Sequence, residues 1–529
     1  MSLTLTFHGA AECVTGFCAL LQTDQARILI DCGLFQGPKT LKALNYGDFP
    51  FDPGSIDAVL LTHAHLDHSG LLPKLVRAGF EGPIFATRGT RDLCEIMLAD
   101  AADIQEREVE HLNRRNQQRG GKAVEPIYTS RDVRPTLELF QMAKFGEAIA
   151  PAQGVSATYW NAGHILGAAS IELVVETGEG PVTLMFSGDF GPGGREFVRG
   201  PEGPAGVDHL ILESTYGDRE RPAIDTATRR KMLAEELIAA HAEGGPVLIP
   251  AFAVERSQEL LVDLVSLMDE GVIPEGQLFL DSPLAIEACE VFLRRGWNAD
   301  AGRNPFETIR NSGRVKFLGK PWESDGLDRL RGWHIILAGS GMCDAGRIRK
   351  HLKRLLWRRE TTVLITGFQA VGTLGRLLLE GQKQVRIQGD EVKVRARIRS
   401  LDVYSGHADA NGLVAWAKAR APVRGRILLA HGEPTALAGL QTRLCANGFA
   451  ASQISIPTLD QGFTLRSTGA EANEGGAGRL APGIAAKLDW HNARAALLNA
   501  LCEALDQAHD DKERMEILNR LGAAIDKAR

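Results

Sequence analysis

The stretch THAHLDHSG, residues 62–70, decides the reading of this chain, because it places His63, His65, Asp67 and His68 within six positions. Imidazole nitrogen and carboxylate oxygen both bind zinc at about 2.0–2.2 Å, usually four ligands to an ion. Side-chain direction repeats every two residues in an extended segment, so His63 and His65 face one side. Asp67 and His68 follow where SGLLPKLVRAGF is expected to start an amphipathic helix, and they face a second ion beside the first. Four ligands do not complete two such sites. The others are expected at strand ends: His164 in NAGHILG, Asp189 in FSGDFG as the bridging group, and His431 in LLAHGEP. Asp31, which ends ILIDCG, reads as a carboxylate that orients a ligand histidine. Ligand types alone do not separate zinc from manganese.

A chain of 529 residues exceeds a single hydrophobic core, so two or more domains are expected. The net charge of −6 excludes a molecule that holds polyanions by global attraction; any such substrate needs a local basic patch. The eight cysteines include no CxxC pair, which suits a reducing, cytoplasmic setting. MSLTLTFHGA lacks the features of a signal peptide, and no apolar run approaches the roughly 18 residues of a membrane helix.

The early chain alternates short strands and loops, with a long helix or helix pair predicted over residues 91–118. From about residue 245, apolar strands such as GPVLIPAF, QLFLDSP, WHIILAGSG and TTVLITGF are joined by amphipathic helices. That pattern indicates a parallel, doubly wound second domain. Strands ending in histidine then return in YSGHAD and LLAHGE, as though the chain re-entered its first domain. RSTGAEANEGGAGRLAPG (466–483) reads as a flexible linker. Beyond it, Leu498, Leu501 and Leu505, then Leu518, Leu521 and Ile525, mark two amphipathic helices.

THAHLDH with Asp31, His164 and Asp189 resembles the metallo-β-lactamase fold, an αββα sandwich with a dinuclear site at the edge of its sheets. ILESTYGDRER, IPAFAVERSQEL, DSPLA, AGSGMCDAGR, GFQAVGTLGR, YSGHAD and LAHGE, in that order, resemble the β-CASP nucleases. In those enzymes an α/β domain is inserted into the metallo-β-lactamase fold. The resemblance runs from about residue 5 to 465 and implies three segments: residues 1–212 (first part of the metallo-β-lactamase domain), 213–395 (β-CASP domain) and 396–465 (return segment). Composition and periodicity add two more, 466–483 (linker) and 484–529 (helical tail).

Carried onto this sequence, the resemblance makes Glu213, His407 and His431 the family's motif residues. RNA-directed members have histidine at the position of His431, where DNA-repair members typically have valine, so RNA is the expected substrate. The implied reaction is hydrolysis at two zinc ions: a hydroxide bridging them attacks phosphorus, with Asp67 among the catalytic ligands. His407, held by Glu213, protonates the leaving 3′ oxygen, giving 5′-phosphate and 3′-hydroxyl ends. Backbone N–H groups around Ser340, Gly341, Gly367, Phe368, Gly372 and Thr373 are candidate phosphate contacts, although glycines there also serve tight strand-to-helix turns. KVRARIRS reads as a strand with Lys393, Arg395, Arg397 and Arg399 on one side, and Arg397 is the candidate RNA contact. RIRKHLKRLLWRRE (347–360) reads first as a solvated helix face.

A DNA nuclease is the nearest alternative, opposed by His431. A small-molecule metallohydrolase would not need the extra domain, and a non-catalytic RNA-processing scaffold would not need a complete ligand set. Endonuclease and 5′-exonuclease members share these motifs, so the direction of attack is left open. The expected C-terminal domain of RNase J is not evident. The tail either docks on the body or supports a homodimer, and the sequence names no protein partner.

Overall fold

Leu3, Leu5 and Phe7 are buried while Thr4 and Thr6 between them are half-buried, so the first strand offers one face to a core. In the computed structural model this strand sits within a sheet ordered Gly469–Ala472, Gly462–Arg466, Leu3–Phe7, Ala19–Gln22, Arg27–Ile30, Ala58–Leu60, Ile84–Ala86 and Phe140–Met142. A second sheet is ordered Ile454–Ser455, Ile427–Ala430, His209–Glu213, Gly180–Phe186, Ala169–Thr177, Val155–Asn161 and Ala148–Ala152. The structure describes residues 3–528 apart from 119, 194–196, 222–223, 296–304, 371, 474–477, 482, 484–493, 495–496, 499, 502–503 and 506.

The two sheets pack face to face. Leu5, Phe7, Ile28 and Ile30 of the first meet Tyr159, Ile171, Phe186, Ile211 and Leu428 of the second. The Tyr159 hydroxyl donates to the Phe85 carbonyl at 2.8 Å, which satisfies a buried polar group and ties the layers. Helices cover both outer faces. Leu72, Leu75, Leu93 and Met97 pack outside the first sheet, and Leu413, Trp416, Leu437 and Leu440 outside the second. This is the αββα sandwich.

The chain leaves the second sheet after His209–Glu213 and re-enters as Ile427–Ala430, parallel to it. Between them lies an all-parallel sheet ordered Val315–Phe317, Gln277–Leu280, His334–Ala338, Val247–Pro250, Thr362–Ile365 and Arg397–Ser400. Its central strands are buried along their whole length, as covering on both faces requires. The inserted domain is thus α/β, and its helices alternate with its strands.

Several local expectations need correction. The inserted sheet runs to Ser400, beyond residue 395, because Arg397–Ser400 pairs with Thr362–Ile365. KVRARIRS is not one strand. Lys393 ends a hairpin, and the amides of Arg395 and Ala396 turn to the Leu356 carbonyl at 2.8 and 2.9 Å before Arg397 joins the sheet. Part of the expected linker is a strand: Gly469–Ala472 pairs antiparallel with Gly462–Arg466 across the turn at Ser467 and Thr468. Arg479, further along, binds Asp460 at 2.9 and 3.0 Å.

Residues 88–118 form one helix, Arg88–Gln118. In the tail, Asp511–Ala528 is helical with Leu518 and Ile525 exposed. Leu498, Leu501 and Leu505 are also helical, amid residues outside the described set. Among the described residues no helix is long and apolar enough to cross a membrane, and the seven described cysteines are free thiols.

Candidate metal centre

Asp31 and His431 each follow directly on a buried strand and adopt positive φ, 60° and 53°. Such backbone costs a non-glycine residue of order 1–2 kcal/mol. Here it turns both side chains in toward the THAHLDHSG loop.

The loop leaves Ala58–Leu60, stays extended through His65 and then makes one helical turn, Leu66–Ser69. This change of backbone separates the ligands into two groups. His63, His65, His164 and Asp189 offer ligand atoms within 4.8 Å of one another, and so do Asp67, His68 and His431. His65 Nδ1 lies 3.2 Å from His63 Nε2 and 3.2 Å from His164 Nε2. His68 Nε2 lies 3.3 Å from His431 Nε2, and Asp67 Oδ2 is 3.5 Å from the same atom. Asp189 stands between the groups, with Oδ2 3.5 Å from His63 Nε2 and Oδ1 3.4 Å from His68 Nε2.

The partners of the other ring nitrogens fix which atom faces the cluster. His68 Nδ1 donates to Asp31 Oδ2 at 2.7 Å. The Thr62 hydroxyl also donates to Asp31, at 2.7 Å, and so accepts from His63 Nδ1 at 3.1 Å. His164 Nδ1 donates to the Gly406 carbonyl at 2.9 Å. The Thr215 hydroxyl donates to Glu213 at 2.7 Å and accepts from His431 Nδ1 at 3.1 Å. Four histidines therefore present Nε2 inward. His65 alone turns Nδ1 inward. Gly406 is needed for this approach, since a Cβ there would lie 2.9 Å from the His164 ring.

Burial holds His63 and His164 well below the ordinary histidine range and brings His65 to about 4. All three are neutral lone-pair donors at pH 7. Burial alone would raise the Asp189 carboxyl, but His431, His68 and His407 outweigh it and hold the group well below the usual carboxylate range. Asp189 Oδ1 is nonetheless buried with no hydrogen-bond donor. A buried ionised oxygen without a donor, beside inward lone pairs, is costly unless a cation completes it. The donor set fits divalent metal ions.

Beside the cluster, His407 Nδ1 donates to Glu213 at 3.0 Å, and the Phe190 amide donates to the other Glu213 oxygen at 2.9 Å. Burial opposes the charged form of His407, yet the Glu213 and Asp189 carboxylates outweigh it and hold the ring above the ordinary histidine range.

The carboxyl ends of the inserted strands face this centre. Phe252 stands 6.3 Å from the His65 ring, and Gly341 packs so closely that a Cβ would lie 2.5 Å from Phe252. Phe368 meets Tyr216, which in turn meets His407, at ring separations of 5.7 and 6.2 Å. The Gln369 amide donates to the Gly341 and Gly367 carbonyls at 2.9 and 3.2 Å. Ser340 and Thr373 spend their hydroxyl oxygens on local amides, those of Asp344 at 3.1 Å and Arg376 at 3.3 Å. Gly372 supplies positive φ, 83°, just ahead of that helix cap. Arg397 is not brought to the cluster by any such contact; Glu243 holds its guanidinium at 2.7 Å.

Four groups at the site went unremarked in the sequence. Thr62 and Thr215 orient ligands, Arg221 donates to the His407 carbonyl and covers the Tyr216 ring at 4.6 Å, and Glu255 accepts the Leu166 amide at 3.2 Å. All four lie within quoted motifs, and that placement was the available signal.

A buried His/Asp donor set at the edge of an αββα sandwich, roofed by an inserted α/β domain, defines a metal-dependent hydrolase. The chain matches models of the metallo-beta-lactamase superfamily over residues 11–88, the Beta-Casp domain over 257–378, and the Zn-dependent metallo-hydrolase RNA specificity domain over 391–453. It is 36% identical to Ribonuclease TTHA0252 of Thermus thermophilus, across 86% of this chain and 99% of that one. It is 31% identical to the transcription termination factor FttA of Methanothermobacter thermautotrophicus, across 81% of this chain and 67% of that one. A crystal structure of a protein of unknown function from Enterococcus faecalis covers 88% of the chain at 13% identity with a TM-score of 0.46, and the chain covers 100% of that protein. The chain belongs to the β-CASP family of metallo-β-lactamase-fold ribonucleases.

Proposed function

We propose that this protein is a cytoplasmic, zinc-dependent ribonuclease that cuts RNA phosphodiester bonds at a two-zinc centre, leaving 5′-phosphate and 3′-hydroxyl ends. The observation that carries the reading is His431 within the ligand cluster, 3.3 Å from His68, since histidine at this motif position goes with RNA-directed members. His63, His65, His164 and Asp189 would hold one ion, and Asp67, His68, His431 and Asp189 the other. Such a pair supplies an acidified water and offsets phosphate charge.

The chain's own residues supply the rest. Glu213 fixes the His407 ring through Nδ1 and favours its charged form, so Nε2–H is left to protonate the leaving 3′ oxygen. Gly367, half-buried at the carboxyl edge of the inserted sheet, offers a backbone N–H that would seat a flanking phosphate.

The test is cleavage of a 5′-labelled single-stranded RNA beside DNA of the same sequence, with and without a zinc chelator. RNA alone should be cut, and chelation should abolish cutting; product length separates endonuclease from 5′-exonuclease action. His407→Ala should slow cleavage by about 100-fold or more while metal content is unchanged. Equal cutting of DNA would point instead to a general nuclease.

A further inference from the structure

The inserted domain contains a second cleft, of about 580 Å³, that the metal centre does not use. It opens beside His334, at the amino end of His334–Ala338, whereas the carboxyl end of that strand runs into Gly339 and Ser340. The volume falls in the range of small-ligand sites. Its apolar surface comes from Leu327, Leu330, Ile336 and Leu355, and Trp357 stands on its wall with 53% of its surface exposed.

The polar groups are unevenly matched. Lys350, Lys353 and Arg354 also line the cleft, and each is paired, with Asp325, Asp390 and Asp328 respectively. Arg358 differs. Its guanidinium lies 5.4 Å from the centre of the Trp357 ring, and no described carboxylate pairs with it. Buried His334 donates Nδ1 to the Gly332 carbonyl at 3.0 Å, and burial keeps the ring below the ordinary histidine range. Its Nε2 is then an acceptor. Gln388 adds an amide at the rim.

An apolar floor beside an exposed indole suits a flat aromatic group. An unmatched guanidinium suits a phosphate, which it binds through two N–H groups. Inorganic phosphate would leave the floor unused, and a neutral aromatic would leave Arg358 unused. We propose that this cleft binds a nucleoside phosphate, its base against Trp357 and the apolar floor and its phosphate on Arg358. The ligand is either a free nucleotide or one unit of a single RNA strand. The inference does not depend on the chemistry assigned to the metal centre.

The experiment uses the full chain with its metals in a His407→Ala background, so that an RNA probe survives. AMP is titrated by calorimetry and fluorescein-labelled decaadenylate by fluorescence polarisation. Both are repeated with Trp357→Leu and Arg358→Gln, with a melting curve for each variant and Arg358→Lys as the charge-retaining control. Each substitution should weaken binding about tenfold, Arg358→Lys less so, with melting unchanged. Weakening of AMP binding identifies a free-nucleotide site; weakening of decaadenylate binding alone identifies an RNA-strand site. If neither probe binds more weakly to either variant, or binding falls only as far as melting falls, the proposal is overturned.

Discussion

Asp31 touches two of the inward-facing histidines at once, His68 directly and His63 through Thr62. Its carboxylate also accepts the Thr62 amide at 2.7 Å, so the left-handed backbone at residue 31 is held by several bonds. Asp31→Asn should weaken zinc binding by about 10- to 100-fold without unfolding the protein, read by competition against a chelator beside circular dichroism. Affinity equal to the parent's would reduce Asp31 to a residue of the fold. At this scale the sequence was highly legible, because metal chemistry demands His and Asp and THAHLDH concentrates them. Ring orientation was not legible: the partner of His164 Nδ1 is a carbonyl 242 residues away.

The helix Arg88–Gln118 links the sandwich to the inserted domain, with Asp92 on Arg295 at 3.0 Å. Further along it, burial first, then Asp103 and Glu287, push the Asp100 carboxyl up to about 6. The folded value is above the unfolded one, near 3.9. The protein therefore loses stability from this group as pH rises from about 4 to 6, and the full penalty stands above that window. Asp100→Asn should stabilise the protein by about 2 kcal/mol at pH 7.5, with the gain fading below about pH 4. Urea unfolding at the two pH values tests this, and a gain of the same size at both would contradict it. Elements were less legible than ligands. The alternating charges of KVRARIRS suited one strand, but the chain breaks pairing at Arg395 and Ala396 to reach Leu356, and Arg397 and Arg399 end on Glu243 and Glu236. Such pairings join residues more than 150 positions apart, and local patterning does not encode them.

The inserted domain reaches the loop that carries His407 through a buried charge network. Asp263 is fully buried and accepts from Arg229 at 2.7 and 3.1 Å, from Arg230 at 2.8 Å and from the Tyr404 hydroxyl at 2.7 Å. Tyr404 lies three residues before His407, so helices of one domain set His407, the proposed general acid, beside the other domain's His/Asp cluster. Removing one cation leaves a buried carboxylate undercompensated. Arg229→Met should cost about 3 kcal/mol of stability and lower kcat more than it changes KM. Denaturant midpoint and steady-state kinetics check both halves, and an unmoved midpoint would show the network to be dispensable. Adjacent motifs foreshadow the contact between domains, but neither Asp263 nor Arg229 signals its partner in the sequence.

The sequence by itself indicated the donor types, the split of His63 and His65 from Asp67 and His68 with Asp189 as their bridge, and the two-domain α/β plan. Those depend on residue chemistry at short spacing and on strand and helix periodicity. Only the tertiary structure decided which nitrogen of each histidine faces inward, that Arg397 is spent on Glu243, and that Arg358 and Trp357 border a second cleft. Each of those facts turns on a partner brought close by folding from a distant part of the chain.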